Sequence, residues 1–534
     1  MCRDWESSEP SWCEHAVSEL KVQLKTSFPA MTGMLINKFP WMISIGFAGK
    51  LGSKELAAAA LATTICNVTG LSLSVGLSTA MATLTAQGRG VQAKLDSAQN
   101  QDEENTPLVN TEKGEKNYHT NQDSSGIKKD EEMPLLPLVY FYRGTFIQLL
   151  LVIPVAVWWL IGVKSTLLAL GQGPELSEMT QDYLRILSPG LLAWSINWTF
   201  TTWLQSLEMA DIPAYAASIA LVVHIPLNIL FIHVCNWGYL GVATATVLQQ
   251  TIQPIYVIYY TFITMRGRRR ILENIKAPTG QTLSLWREAS LALFSPSGIL
   301  QYLSLALPGI VIISEWWASE LMIFLSGTLV PHPDIAVASI AIYQTLNTFC
   351  FMLPVGCSIA GSARIGTSLG SGDVVGADLA AKVSVGSGLI LSVLMGSILF
   401  LTPHHIFPSL FSPDNAVVNQ TSRLIPLLSV YVVGDGIQST LNGIIKGCGR
   451  QCLIMPIVIT AYWIIGVPLG YYFAFIRHDG IMCEDSLECG VTGLVSGLTV
   501  GTWIHLLLLA IVVIGTTNWN MEAQKARERN RLKE

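Results

Sequence analysis

About twelve stretches of this chain are long and apolar enough to cross a membrane, and they leave little choice of fold. They fall near residues 30–49, 56–86, 138–163, 183–206, 213–234 and 238–264, then near 298–330, 335–363, 377–402, 421–445, 453–476 and 490–516. Roughly 20 apolar residues in a helix span the hydrocarbon. Lipid offers backbone groups no partner, so each such run must bond within itself as an α-helix. The expected fold is therefore an all-α membrane protein of about twelve transmembrane helices. Only 13% of the residues are charged, against about a quarter in soluble domains. Much of that charge lies in residues 88–137 and in the tail 517–534. No nucleic-acid partner is expected from such a chain. No short n-region with a small-residue cleavage site opens the sequence, so no signal peptide is expected. The ten cysteines show no metal-ligand spacing, so neither metal nor cofactor is expected.

The runs form two groups of six around a basic linker containing Arg266 to Arg270, RGRRR. Basic residues in short loops mark the cytoplasmic side. The linker, Lys128 and Lys129, Lys446 and Arg450, and the tail share one side if both termini are cytoplasmic. The opposite side carries Lys50, Lys54, Lys164 and Arg477 without a cluster. The organisation expected is a cytoplasmic N-terminal segment 1–28, an N-lobe 29–264 with a disordered cytoplasmic insert 88–137, a linker 265–297, a C-lobe 298–516, and a cytoplasmic tail 517–534. Disorder is expected of the insert because Asn, Gln, Asp, Glu, Ser and Lys cannot build a core.

The two lobes echo each other. NVTGLSLSVGLSTA from Asn67 aligns with NTFCFMLPVGCSIA from Asn347, so that Asn, Gly, Ser and Ala recur at 67/347, 76/356, 78/358 and 80/360. Gly90 and Gly370 keep the same offset of 280. HIPLN at His224 similarly matches GVPLG at Gly466. Each lobe has six spans, so the repeats start on the same side and are parallel, related by an axis along the membrane normal.

Several segments then resemble the multidrug and toxic compound extrusion (MATE) family in its eukaryotic form. GFAGKLGSKELAAAALA is similar to its Gly-x-Leu-Gly signature, with Lys50 where His is usual. SEWWASELMIFLSG resembles its seventh helix, and ARIGTSLGSGD resembles its Arg-x-x-Asn-x-Leu-Gly-x-Gly motif with Thr367 for Asn. LNGIIKGCGRQ, AYWIIGVPLGYYFAF and NWNMEAQKARER resemble the tenth helix, the eleventh helix and the basic ending. The match runs from about Glu14 to Arg529, broken by the insert. It implies two six-helix lobes facing each other across a central cavity. It also implies export of drugs or metabolites driven by a proton or sodium gradient. The chain departs from some animal members at Tyr343, Gln344 and Thr345, where they carry another Glu. It also has Lys38 in the first helix, in place of the bacterial Asp.

Charge inside the spans points to the site. Glu315 and Glu320 in IISEWWASELMIFLSG, and Asp435 in SVYVVGDGIQSTLNG, lie in apolar helices. A charged group at mid-helix costs about 2.5–3.5 kcal/mol to insert, so such residues are functional candidates. Each can shed that cost by taking a proton, or by facing a bound cation. That would make proton and organic cation mutually exclusive ligands. Five residues apart, Glu315 and Glu320 lie roughly 140° apart around the helix, so one is expected to line the cavity while the other bonds a neighbouring helix. Trp316, Gln438, Tyr462 and Gln344 are candidate cavity residues, Trp316 by stacking on aromatic cations. Lys38 is expected to snorkel to the interface, and Arg364 to anchor at the cytoplasmic face.

The function expected is a secondary active antiporter that exports organic, cationic compounds for protons by alternating access. It would work as a monomer with the substrate, protons (or sodium) and the bilayer as its partners. A lipid-linked sugar flippase of the same superfamily would want a cationic cavity. An intramembrane acyltransferase would need His505 or His224 as base, and neither has a motif partner. The membrane is the plasma membrane or a vacuolar or endosomal one; Glu131 before Leu135 and Leu136 has acidic dileucine spacing. Cys483 and Cys489 are expected to close a disulfide in the outer loop, where oxidation is allowed. Asn419 heads the one glycosylation sequon outside an apolar run.

Overall fold

The computed structural model describes residues 12–104, 134–277, 285–482, 486 and 488–530, and these are almost wholly helical, without a strand. Six long helices build the first lobe. They are α1 (Trp12–Leu51), α2 (Ser53–Ile65, passing through a π-turn at Cys66–Leu71 into Ser72–Glu104) and α3 (Leu136–Ile161). The others are α4 (Pro174–Ser206), α5 (Asp211–Val234) and α6 (Gly238–Ile258, with a π-turn Tyr259–Ile263). The second six are α7 (Pro296–Ser326), α8 (Pro333–Ser371), α9 (Val374–Leu401), α10 (Asn415–Cys448), α11 (Gln451–Ile476) and α12 (Gly490–Thr516). Nine of these pass as spans on length and hydropathy alone. α1, α4 and α6 supply the rest, carrying polar residues such as Asn197, Gln249 and Gln253 that are buried against neighbours instead of facing lipid.

Local chemistry sets the ends. Proline, whose missing N–H is harmless in a first turn, opens α4, α7 and α8. Asp373 and Asp414 cap α9 and α10 by accepting the backbone N–H of Gly376 and Ala416, each cap contributing about 1 kcal/mol. α8 and α10 stop at Gly372 and Gly449, whose φ of 85° and 72° only glycine adopts without strain.

Within each lobe the helices pack in corresponding pairs, and between lobes α2 meets α7 and α8 while α1 meets α8. The repeat is visible in these crossings. A Cβ on Gly76 would lie 2.5 Å from the Ile310 backbone of α7, and one on its equivalent Gly356 would lie 2.3 Å from Met31 on α1. Small residues there let two helices touch at the backbone, the usual device for packing in lipid. An even number of spans puts both ends of the chain on one face, called here the termini face.

Several boundaries differ from expectation. α2 is helical to Glu104, so the insert is not irregular from residue 88; residues 105–133 lie outside the described residues. Helix α1 already begins at Trp12 within the N-terminal segment, and the linker and tail carry helices Met265–Ile275, Leu285–Leu293 and Trp519–Arg529. Leu135 and Leu136 are 0% and 5% exposed at the start of α3. Buried leucines are unavailable as a linear sorting signal, and the support for endosomal sorting falls with them.

Candidate coupling and substrate site

The helical arc separates Glu315 from Glu320, and the structure sends them to different partners. Glu315 turns into the C-lobe. Gln438 Nε2 on α10 donates to its carboxylate at 3.1 Å, and His505 Nδ1 on α12 lies 3.7 Å away. Tyr462 on α11 donates to Gln438 at 3.3 Å, and its hydroxyl lies 3.0 Å from that of Thr502. The Tyr462 ring meets the His505 imidazole edge-on, with centroids 5.7 Å apart. Four helices thus converge on one carboxylate.

Asp435 sits on α10 three residues before Gln438 and so on the same helical face. It is 6% exposed, and both Asn347 of α8 and Glu315 are within electrostatic reach of it. Tyr343 and Tyr431, whose rings meet at 6.2 Å, are both within electrostatic reach of it. Two acids in one low-dielectric pocket resist being ionised together.

Glu320 points the other way, towards α1 and α2. Asn67 Nδ2 approaches it at 3.5 Å, and Lys38 is its cationic neighbour. Lys38 is itself exposed. Trp316 stays 37% exposed, whereas Trp317 donates to Ser72 on α2 at 3.1 Å. Gln344 is part-buried one turn before Asn347.

Three contributors escaped the sequence reading. His505 had no motif partner, because its partner is 190 positions away in the chain. Lys446 read as a cytoplasmic cation but is part-buried at the end of α10, within electrostatic reach of Glu315. Asn347 carried a usable signal: it is the repeat mate of Asn67, and each lies near a carboxylate, Asn67 near Glu320 and Asn347 near Asp435.

The N-lobe holds a neutral network in place of acids. His224, fully buried, brings Nε2 within 3.1 Å of Ser44 and of the Pro40 carbonyl and 3.0 Å of Asn228. Asn197, Gln253 and Asn37 chain together at 2.9 Å per link across α4, α6 and α1. Ser44 beside His224 resembles a nucleophile–base pair, but both are buried between α1, α5 and α6 and tie those helices together.

On the termini face the lobes are bonded directly. Arg364 on α8 takes Glu19 of α1 in a two-pronged pair at 3.0 and 2.8 Å and lies 3.6 Å from Glu208, which Arg89 of α2 also holds at 2.7 Å. Arg364 therefore joins lobes; it is more than an interface anchor. Beside it Gln87 donates to the Gly447 carbonyl at 2.9 Å, and Thr83 to that of Lys446 at 2.6 Å. On the other face Cys489 is disulfide-bonded, while Cys483 lies outside the described residues. Asn419 is exposed but already within α10, and Thr421 of its sequon is fully buried.

A sequence model of the MatE family matches residues 29–96, 135–230 and 309–472. The chain belongs to the MatE family. Among MatE relatives, Protein DETOXIFICATION 36 of Arabidopsis thaliana is 27% identical over 512 residues, covering 96% of this chain and 88% of that protein. Protein DETOXIFICATION 12 of the same plant is 28% identical over 532 residues, covering 98% and 95%. The crystal structure of the eukaryotic MATE transporter AtDTX14 superposes with a TM-score of 0.76 at 24% identity, covering 97% of this chain and all of that one. This MatE protein is thus a multi-pass membrane transporter of the multidrug and toxic compound extrusion type, with two six-helix lobes around a central cavity, and not an enzyme.

Proposed function

We propose that this chain is an antiporter that exports organic cations in exchange for protons, with both termini in the cytoplasm. The observation that carries the reading is the Glu315 carboxylate held by Gln438 and lying beside His505 and the Tyr462–Gln438 bond, with the buried Asp435 within electrostatic reach of it. Protons arriving from the acidic side neutralise the pair. An organic cation entering from the cytoplasm does the same electrostatic work, so each ligand releases the other. Lobe-to-lobe bonds on the termini face support assigning this conformation as closed to the cytoplasm, with reversal by rocking of the lobes.

The energy available is sufficient. A one-unit pH gradient supplies about 1.4 kcal/mol per proton, and 100 mV adds about 2.3 kcal/mol per net charge moved. One proton exchanged for one monovalent cation moves no net charge, so each pH unit sustains about a tenfold substrate gradient, and the membrane potential contributes only where more than one proton is exchanged per cation. The test is accumulation of a fluorescent organic cation in proteoliposomes carrying a pH gradient. Accumulation that collapses with a protonophore is expected. Accumulation driven equally by a sodium gradient at uniform pH would overturn the proton assignment, and no gradient-driven transport across a panel of cations would overturn the substrate class.

A further inference from the structure

At the termini face of the N-lobe, away from the coupling pocket, a cleft of about 310 Å³ opens between the ends of α5 and α6 and the linker helix Met265–Ile275. Asp211, Tyr215, Tyr256, Tyr260, Arg266 and Arg270 line it. We infer that this cleft binds the headgroup of an anionic phospholipid in the leaflet on that side.

The charge in the cleft is held in position. Arg270 is fixed by Asp211, which accepts from Nη1 at 2.9 Å and Nη2 at 3.1 Å, and by the Tyr260 hydroxyl at 3.2 Å. Arg266 is exposed and makes no ion pair among the described residues. Gly267, Ile271 and Ile275 bury the opposite side of the linker helix, which turns Arg266, Arg268 and Arg269 outward. Four arginines (266, 268, 269 and 270) thus face two acids, Asp211 and Glu273, leaving a local surplus of two positive charges. A guanidinium offers a fixed fork of donors suited to phosphate oxygens, and three tyrosyl hydroxyls add donors at the depth where tyrosine normally meets the interface.

The wall beyond the arginines separates a lipid from a free anion. Ile219 and Val222 on α5, and Ile255, Tyr259 and Ile263 along α6, are exposed in line with the cleft, and Met265 at its edge is 88% exposed. A soluble phosphate has no use for that apolar strip, whereas an acyl chain covers it. Clusters of arginine and lysine beside a span have this chemistry, drawn to anionic headgroups by charge and position together.

The full chain, purified in detergent, is offered equal amounts of phosphatidylcholine and phosphatidylinositol 4-phosphate and examined by native mass spectrometry. Selective retention of the anionic lipid is expected. Arg266→Gln should cut that retention at least fivefold, Arg266→Lys should restore part of it, and Lys382→Gln on the C-lobe should leave it unchanged. Arg266 is exposed and unpaired, so its loss does not threaten folding. Equal retention of both lipids would overturn the inference, as would an unaffected Arg266→Gln. An equal loss in Lys382→Gln would show diffuse attraction instead of a site. Displacement by millimolar inorganic phosphate would show a free-anion site, which overturns it too.

Discussion

Gly90 and Gly370, equivalent positions of the two repeats, lie against each other where α2 crosses α8. A Cβ on Gly90 would sit 2.0 Å from the Thr367 carbonyl oxygen, and one on Gly370 would sit 2.0 Å from the Gln87 carbonyl oxygen. Thr367 and Gln87 are themselves repeat mates, 280 residues apart. The crossing therefore lies on the axis that relates the lobes, and its seal on the termini face is symmetrical.

Filling that crossing should open it. Gly90→Leu or Gly370→Leu forces overpacking of about 1–3 kcal/mol onto the conformation described here and none onto one in which the helices part. Spin labels at Lys94 and Lys382 are expected to show the distribution moving to longer distances on the termini face. A distribution unchanged by either leucine would remove the crossing from the gate.

The two glutamates should separate in function. Glu315→Gln leaves an amide among Gln438, His505 and Tyr462, and Asp435→Asn does the same beside Asn347. Both variants are expected to reach the membrane in normal amounts and to lose gradient-driven accumulation. Glu320→Gln should retain coupling while changing the apparent affinity for cations, since it leaves the Lys38 charge unanswered. Transport assays of the three variants check this, and coupling in Glu315→Gln equal to that of the unaltered protein refutes it.

His505 is a positioning residue for that pocket, and its replacement tests geometry more than charge. His505→Gln retains a hydrogen-bonding side chain beside Glu315 but removes the ring that Tyr462 meets. A shift in the pH profile of exchange with unchanged protein abundance is expected. A merely structural histidine would lower abundance and leave the profile of the surviving protein alone.

The terminal helix Trp519–Arg529 should act as a bolt. Arg529 bonds both the Gln87 side chain of α2, at 3.2 Å, and the Cys448 carbonyl of α10, at 2.8 Å, while Tyr140 of α3 donates to Asn530 at 2.9 Å. Charge-assisted bonds of this kind contribute about 1.5–3 kcal/mol each. Arg529→Ala is expected to raise the population open on the termini face about tenfold or more, read by the same pair of labels.

The outer disulfide gives a simple chemical check. Seven other described cysteines are free, so Cys489 is expected to pair with Cys483. Peptide mapping without reductant should recover those two residues cross-linked. Quantitative alkylation of Cys483 before reduction would refute the pairing.

The spans were legible because lipid enforces one solution on each apolar run, and the repeat was legible because close backbone crossings demand glycine at Gly76, Gly356, Gly90 and Gly370. Glu315, Asp435, Gln438 and Tyr462 stood out by their depth or by resemblance; hydrogen bonds join Glu315, Gln438 and Tyr462, and Asp435 lies one turn before Gln438 on the same helix. The failures have a common cause. Whether Lys446 is part-buried within reach of Glu315, and whether His505 has a neighbour, depend on which way a helix is rotated. That is set by packing across hundreds of residues, not by neighbours in the chain.

The neutral His224 and Asn197 networks of the N-lobe stand in contrast to the acids opposite. Duplication gave this molecule two similar halves, but among the described residues only the C-lobe carries carboxylates, Glu315 and Asp435, in the middle of its spans. The two are consequently not interchangeable parts. A chimera joining this C-lobe to the N-lobe of a distant relative would inherit its driving ion from the C-lobe. The N-lobe is then the half in which substitutions can accumulate without altering what powers the cycle.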